Sequence, residues 1–230
     1  MEFTSSFLDV LGRWMRGWKE DQALRLTFVT QLEEEAAKLP SCFRTVNVDC
    51  YRKRYLTRGD ISPLIRGDLD DGVTSWTTDQ GFAEFFKGLE RTGTITATIF
   101  KHRPEPSEVV LSIAALWENS EFQKAVQRYI DNNGIHAEAF QRIGSSQSEI
   151  VLRARLRYDE IIAFTGRSSP FDELCDAAGI TLNNQDEAWK LLLDLNKQPD
   201  TPRYVSPEGV KRILNKVAAT GESFGIRLNK

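Results

Sequence analysis

The stretch that most constrains this chain runs from Glu149 to Tyr158. Ile150, Leu152, Ala154 and Leu156 alternate there with Val151, Arg153, Arg155 and Arg157. Alternation over this length predicts a β-strand with one buried face, and therefore a sheet for it to join. A short Gly-Ser loop, Gly144-Ser145-Ser146, leads into Gln147, Ser148 and Glu149. Residues two apart on a strand point to the same side, so this spacing presents Gln147 and Glu149 together at the strand entrance. Catalytic groups are often carried on loops held by a rigid scaffold. The alternative is an ordinary polar strand start at the surface.

The sequence before and after this strand adds helices, which makes the fold class α+β. Residues 3 to 38 read as two helices. Phe7, Val10, Leu11 and Trp14 recur at helical spacing in the first, and Leu24, Phe28, Val29, Leu32 and Ala36 in the second. Trp14 and Trp18 lie four apart and share a face, which predicts core or helix–helix packing. Pro40 closes this region.

Residues 42–56 read as strand. The parity carrying Cys42, Arg44, Val46, Val48, Cys50, Arg52 and Arg54 is apolar in its middle. Arg52 then either points inward, where it needs an anion, or belongs to a solvated basic cluster, Arg52-Lys53-Arg54. Residues 57–74, with Gly59, Pro63, Gly67, Gly72 and several aspartates, read as loop. The two Arg-Gly-Asp triplets within it read as turn chemistry.

Val73 to Thr77 favours strand. Thr78 or Asp79 then caps a helix whose apolar face is Phe82, Phe85, Phe86 and Leu89. Further strand is expected at 93–101 and at 108–117, the latter alternatively the start of a helix. A helix capped by Asn119 or Ser120 is expected over 119–132. Residues 140–146 read as loop, and 149–157 and 159–164 as consecutive strands. From Arg167 the composition becomes helical, with helices at 171–178, 185–195 and 207–219, the last capped by Ser206 with Pro207 at its first position. The domain reading is an N-terminal helical segment (1–40), a central α+β domain (41–167) and a C-terminal helical annex (168–230).

Length and charge narrow the function classes. A chain of 230 residues builds one good core, or a domain plus a small annex. Net charge is −3, so no global basic field draws it to nucleic acid or anionic lipid. Three cysteines, an odd number without metal-type spacing, fit a reducing cytoplasm. The opening MEFTSSFLDVLGRWMRGWKED lacks the basic n-region and uninterrupted apolar run of a signal peptide. No apolar run approaches membrane-spanning length. With His102 and His136 the only histidines, no metal site is expected.

Three fragments line up in chain order: Tyr51-Arg52, Ser75-Trp76-Thr77 and Gln147-Ser148-Glu149. Over about residues 45–165 this resembles the Arg-Ser-Glu class of mono-ADP-ribosyltransferases, related in fold to cholera-type and C3-type toxins. Ser75-Trp76-Thr77-Thr78-Asp79, followed by Ala83 and Phe86, is similar to a form seen in bacterial and phage members. Two departures stand out. Lys53 follows Arg52 where Gly is common in the family, leaving Arg54 and Arg58 as competitors for its role. The insertion between Arg52 and Ser75 is rich in acid.

The resemblance implies an ADP-ribosyltransferase-like split β-sandwich flanked by the terminal helices, acting on NAD as substrate with no metal. Glu149 would stabilise positive charge as the glycosidic bond opens, as carboxylates do at oxocarbenium-like centres. Arg52 would pair with the NAD phosphates. Ser75 and Thr77 would order the pocket floor, and Gln147 would position the acceptor. Family members with Gln at that first position modify asparagine, glutamine or cysteine-type side chains, or a nucleobase. The acceptor is thus a protein side chain or RNA/DNA, with protein ahead because the chain is acidic, and a toxin or phage effector is the implied context. Arg153, Arg155 and Arg157 share one strand face, either a nucleic-acid surface or the solvated side of an amphipathic strand. Two other classes compete: a catalytically inactive member of the same fold serving as a binding module through its helical ends, and an unrelated α+β nucleic-acid-binding protein.

Overall fold

The computed structural model describes residues 3–17, 22–87, 93–143, 148–165, 179–181, 184, 187–188, 204–205 and 207–223. In chain order the elements are α1 (Ser5–Met15), α2 (Gln22–Ala37), a 3-10 turn (Ser41–Arg44), β1 (Cys50–Leu56), α3 (Arg58–Arg66), β2 (Val73–Thr77), α4 (Gln80–Phe85) and β3 (Thr96–His102). They continue with β4 (Val109–Ser112), α5 (Ile113–Trp117), α6 (Ser120–Asp131), α7 (Ala137–Ile143), β5 (Glu149–Arg153), a 3-10 turn (Tyr158–Glu160), β6 (Ile161–Phe164) and α8 (Pro207–Ser223). The fold is mixed α+β, and the pairings β2–β5, β4–β5 and β3–β6 are all antiparallel.

The chain divides into two compact units. The first gathers Met1–Cys50, Asp71–Gln80 and Arg103–Ala154; the second gathers Tyr51–Asp70, Gly81–His102 and Arg155–Lys230. The first contains the strand order β4–β5–β2. Phe7, Leu11 and Trp14 of α1, Phe28 and Leu32 of α2, and Phe122 and Val126 of α6 bury one sheet face together with Val73, Leu111 and Val151. The two N-terminal helices therefore share a core with β2 and β5. Thr4 caps α1 by accepting the Phe7 N–H at 3.2 Å. Gly12 lets α1 press onto the turn before α7, since a Cβ there would lie 2.5 Å from His136 Cβ. Asn119, one of the two caps expected, holds α6 by accepting from Phe122 N at 3.0 Å.

In the second unit the order is β1–β3–β6. Ala83, Ile99 and Ala163 form a small core, with Tyr51, Ile162 and Tyr204 packed against it. Tyr204 is fastened by its hydroxyl, which donates to the Glu84 carbonyl at 2.6 Å.

Several elements differ from the sequence reading. The strand expected over 42–56 begins at Cys50, preceded by a 3-10 turn and irregular chain in which Val48 is exposed. The loop expected over 57–74 contains α3, because Asp60 accepts from the Thr57 N–H and hydroxyl, each at 2.7 Å, and Gly67 closes the helix in the left-handed conformation. The 108–117 stretch is both alternatives in succession, β4 and then α5, with Ser112 capping the latter. Of the loop expected over 140–146, residues 140–143 belong to α7, which runs to Ile143, and 144–146 lie outside the described residues. The α4 face turned to the core is Ala83, while Phe85 and Phe86 are exposed. β5 stops at Arg153, well short of 157. Trp18, Leu89, Cys175, the helix at 171–178, most of that at 185–195 and the Ser206 cap lie outside the described residues. Among the described residues, no helix is long and apolar enough to cross a membrane.

Candidate active site

Glu149 is the first residue of β5 and stands opposite Thr77; the next pairs along are Trp76 with Ile150 and Ser75 with Val151. Opposed residues in an antiparallel ladder face the same way, so Ser75, Thr77, Glu149 and Val151 lie on one side. That side carries Val73 and Val151 into the core under α1. It turns polar at its Glu149 end. The sequence thus builds an apolar face and finishes it with two hydroxyls and a carboxyl.

Two donors converge on a single oxygen of that carboxyl. Ser75 Oγ donates to Glu149 Oε1 at 2.5 Å, and Trp14 Nε1 donates to the same oxygen at 2.9 Å. Oε2 receives no hydrogen bond from any described residue. Trp14 is buried in the core, Ser75 is exposed and Glu149 is half-buried. Protein atoms surrounding the carboxyl push its pKa above the ordinary value; the Ser75 and Trp14 hydrogen bonds act in the opposite direction. No charged side chain among the described residues acts on it.

The backbone around Glu149 is tightly specified. Ser148 adopts a left-handed conformation, φ 44°, unusual for a residue with a side chain. Its carbonyl accepts from Thr78 N at 3.2 Å, which ties the entrance of β5 to the end of β2. Gln147 lies outside the described residues. Thr77 is buried, and its hydroxyl accepts from Asp79 N at 3.1 Å, where the chain turns into α4.

The arginine candidates belong to the second unit. Arg52 is half-buried in β1. Arg54 is engaged at home, with Nη2 3.0 Å from Asp60 Oδ1 and Nη1 donating to the Tyr55 carbonyl at 2.7 Å. Arg58 opens α3. Of the five residues expected in the site, the structure groups Ser75, Thr77 and Glu149 on one strand pair and adds Trp14. Helical spacing marked Trp14 only as a core residue; nothing local in the sequence signals a contact to a carboxyl 135 positions away.

The basic face expected on the long strand is dispersed. Arg153 is held by Glu33, its Nε and Nη2 donating to Oε1 at 2.9 and 2.7 Å. Arg157 is held by Asp159 at 3.1 and 3.0 Å. Arg155 lies beyond the end of β5 and is exposed.

Cys50 is buried, and that burial, with Asp49 adding to it, pushes its thiol up to about 12, so it is held as an unreactive thiol. Among the described residues no group of three or more His, Cys, Asp or Glu side chains converges as a metal-binding set. Comparison with protein-family models, curated proteins and solved structures finds no match to this chain.

Proposed function

We propose that the protein is a mono-ADP-ribosyltransferase that takes NAD as substrate and transfers ADP-ribose to a macromolecular acceptor. The observation that carries this reading is the Ser75–Glu149 hydrogen bond at a strand entrance, which leaves the second carboxylate oxygen uncommitted. A carboxylate tethered through one oxygen can accept a substrate hydroxyl on the other while its charge faces the reacting carbon. In the reaction the bond between ribose C1′ and the nicotinamide nitrogen breaks. The electron pair leaves with nicotinamide, the acceptor's nucleophile forms the new bond to C1′, and the proton that nucleophile carried is released to solvent. Glu149 stabilises the positive charge that develops on the ribose. Ser75 and Thr77 order the floor beneath it, Gln147 orients the acceptor, and Arg52 takes the NAD phosphates as a planar guanidinium fork. The finer architecture that goes with this reading is the split β-sandwich of that enzyme class, in a toxin or phage effector acting in the cytoplasm.

A protein acceptor is favoured. The chain is acidic, and Arg153 and Arg157 are already paired with Glu33 and Asp159. The test is incubation with NAD labelled in its adenylate phosphate and a cell lysate, followed by separate nuclease and protease digestion. Label released by protease is the expected result. Absence of any NAD consumption or transfer overturns the assignment.

A further inference from the structure

We propose that Trp14 is a positioning residue for Glu149, so that helix α1 is part of the catalytic apparatus as well as of the core. The inference rests on the functional reading above and extends it to a residue outside all three fragments of the resemblance. Its basis is geometric. The Trp14 indole N–H reaches Glu149 Oε1 at 2.9 Å, the same oxygen that Ser75 occupies. A glutamate's terminal torsion is broad and roughly two-fold, so a carboxylate bound by one donor can still swing. Two donors from different directions on one oxygen fix its plane and leave Oε2 as the oxygen available to a substrate. Hydrogen bonds to an ionised acceptor are also stronger than neutral ones, so both donors favour the charged form.

The placement of Trp14 is itself enforced. Its ring packs on Phe28 of α2 with centroids 6.3 Å apart, and Gly12, half a turn earlier, allows the close approach of α1 to His136. The indole is buried, so turning its N–H away from the carboxyl would require its ring to repack against Phe28 and the surrounding core. A buried tryptophan usually places its N–H on a partner. Here the partner is the one carboxyl that the proposed chemistry depends on.

The experiment uses the whole chain and two readouts. In the wild-type protein, the indole 15N–1H resonance of Trp14 is followed against pH beside the 13C carboxyl signal of Glu149. The two are expected to titrate with one midpoint, and the indole titration is expected to vanish in Glu149→Gln. An indole signal that ignores the carboxyl overturns the proposal, and this needs no variant of Trp14 to fold. The second readout is Trp14→Phe, which keeps the ring but removes the donor. Its Glu149 midpoint should move upward, and kcat for NAD turnover should fall on the order of tenfold or more with KM for NAD within about twofold. Unchanged kcat and an unchanged midpoint in the folded variant overturn the positioning role while leaving the transferase reading intact. A wild-type chain that does not turn over NAD removes the transferase reading, and the indole titration still decides whether Trp14 sets the carboxyl's state.

Discussion

Glu149 draws its shortest hydrogen bond from Ser75, whose own ladder partner is Val151. The contact is diagonal across β2 and β5, within the reach that such neighbours have on a pleated surface. It holds a carboxyl that burial has made reluctant to ionise.

The first prediction follows from that reluctance. The folded state binds a proton on Glu149 more tightly than the unfolded chain does, because burial raises its pKa. Ionisation of this group therefore works against folding. The penalty is fully present above the raised pKa and absent below the ordinary value of 4.5. Glu149→Gln should abolish NAD turnover by on the order of a hundredfold or more and yet fold more stably at neutral pH. Each kcal/mol relieved should raise Tm by about 2–4 °C, and the difference from wild type should close as pH falls toward 4. A variant less stable than wild type at pH 7, or fully active, contradicts this account.

The second prediction separates two neighbouring arginines. Arg54 completes the cap of α3 through Asp60, whose carboxyl also takes the Thr57 N–H and hydroxyl. Although burial acts to raise it, these hydrogen bonds and the Arg54 charge hold the Asp60 pKa below its ordinary value. Its stabilisation is present at neutral pH and is lost as pH falls through that lowered pKa. Arg54→Ala should cost about 1–3 kcal/mol in urea unfolding with little effect on NAD affinity. Arg52→Ala should do the reverse, weakening NAD binding by calorimetry while sparing stability. If Arg54→Ala proves the variant that loses NAD, the assignment of the phosphates to Arg52 is wrong.

How much of this was legible depends on the range of the interaction. The Ser75-Trp76-Thr77 strand, the start of β5 at Glu149 and the Asn119 cap rest on local spacing, and each could be read directly. α3 was hidden because Gly59, Pro63 and Gly67 are turn residues in isolation. The deciding signal was Thr57 followed three residues later by Asp60, a capping box whose aspartate is less usual there than glutamate or glutamine. On α4 the small Ala83 packs against Ile99 and Ala163, while Phe82 is half-buried and Phe85 and Phe86 are exposed, so the aromatic spacing did not mark the buried side. Val151 shows the limit of alternation, since it sits in the polar parity and is fully buried under α1. Trp14 was legible as core but not as a donor, because its partner is set by tertiary packing alone.

The third prediction concerns Lys53, whose Nζ donates to the Glu84 carbonyl at 2.9 Å and lies 5.9 and 5.7 Å from the centres of the Tyr55 and Tyr204 rings. Burial lowers its pKa to about 8. Between that value and the ordinary 10.5 the unfolded chain carries the extra proton, so the Lys53 contribution to stability rises with pH across this window. Because the side chain is only half-buried, the effect is small. Subtracting the stability curve of Lys53→Met from that of wild type should isolate a positive slope between pH 8 and 10.5. A flat difference would show that the ammonium is solvated in the folded protein.

The last prediction concerns the acceptor. If Gln147 orients the second substrate, Gln147→Ala should lose transfer by about tenfold or more while NAD hydrolysis stays within about threefold, since orientation alone is worth several kcal/mol. Water still reaches the ribose carbon, and Glu149 still stabilises the charge there. Equal loss of both activities would count against the positioning role. Neutralising Arg153, Arg155 and Arg157 addresses the acceptor's class. A nucleic-acid acceptor releases counterions when its phosphates bind, so losing these arginines would cut transfer and flatten its salt dependence. Arg153 and Arg157 already face Glu33 and Asp159, which leaves little charge for phosphates to find. Transfer by the triple variant should therefore keep the salt dependence of wild type, as a protein acceptor requires. A salt slope that collapses in the variant would move the acceptor to RNA or DNA.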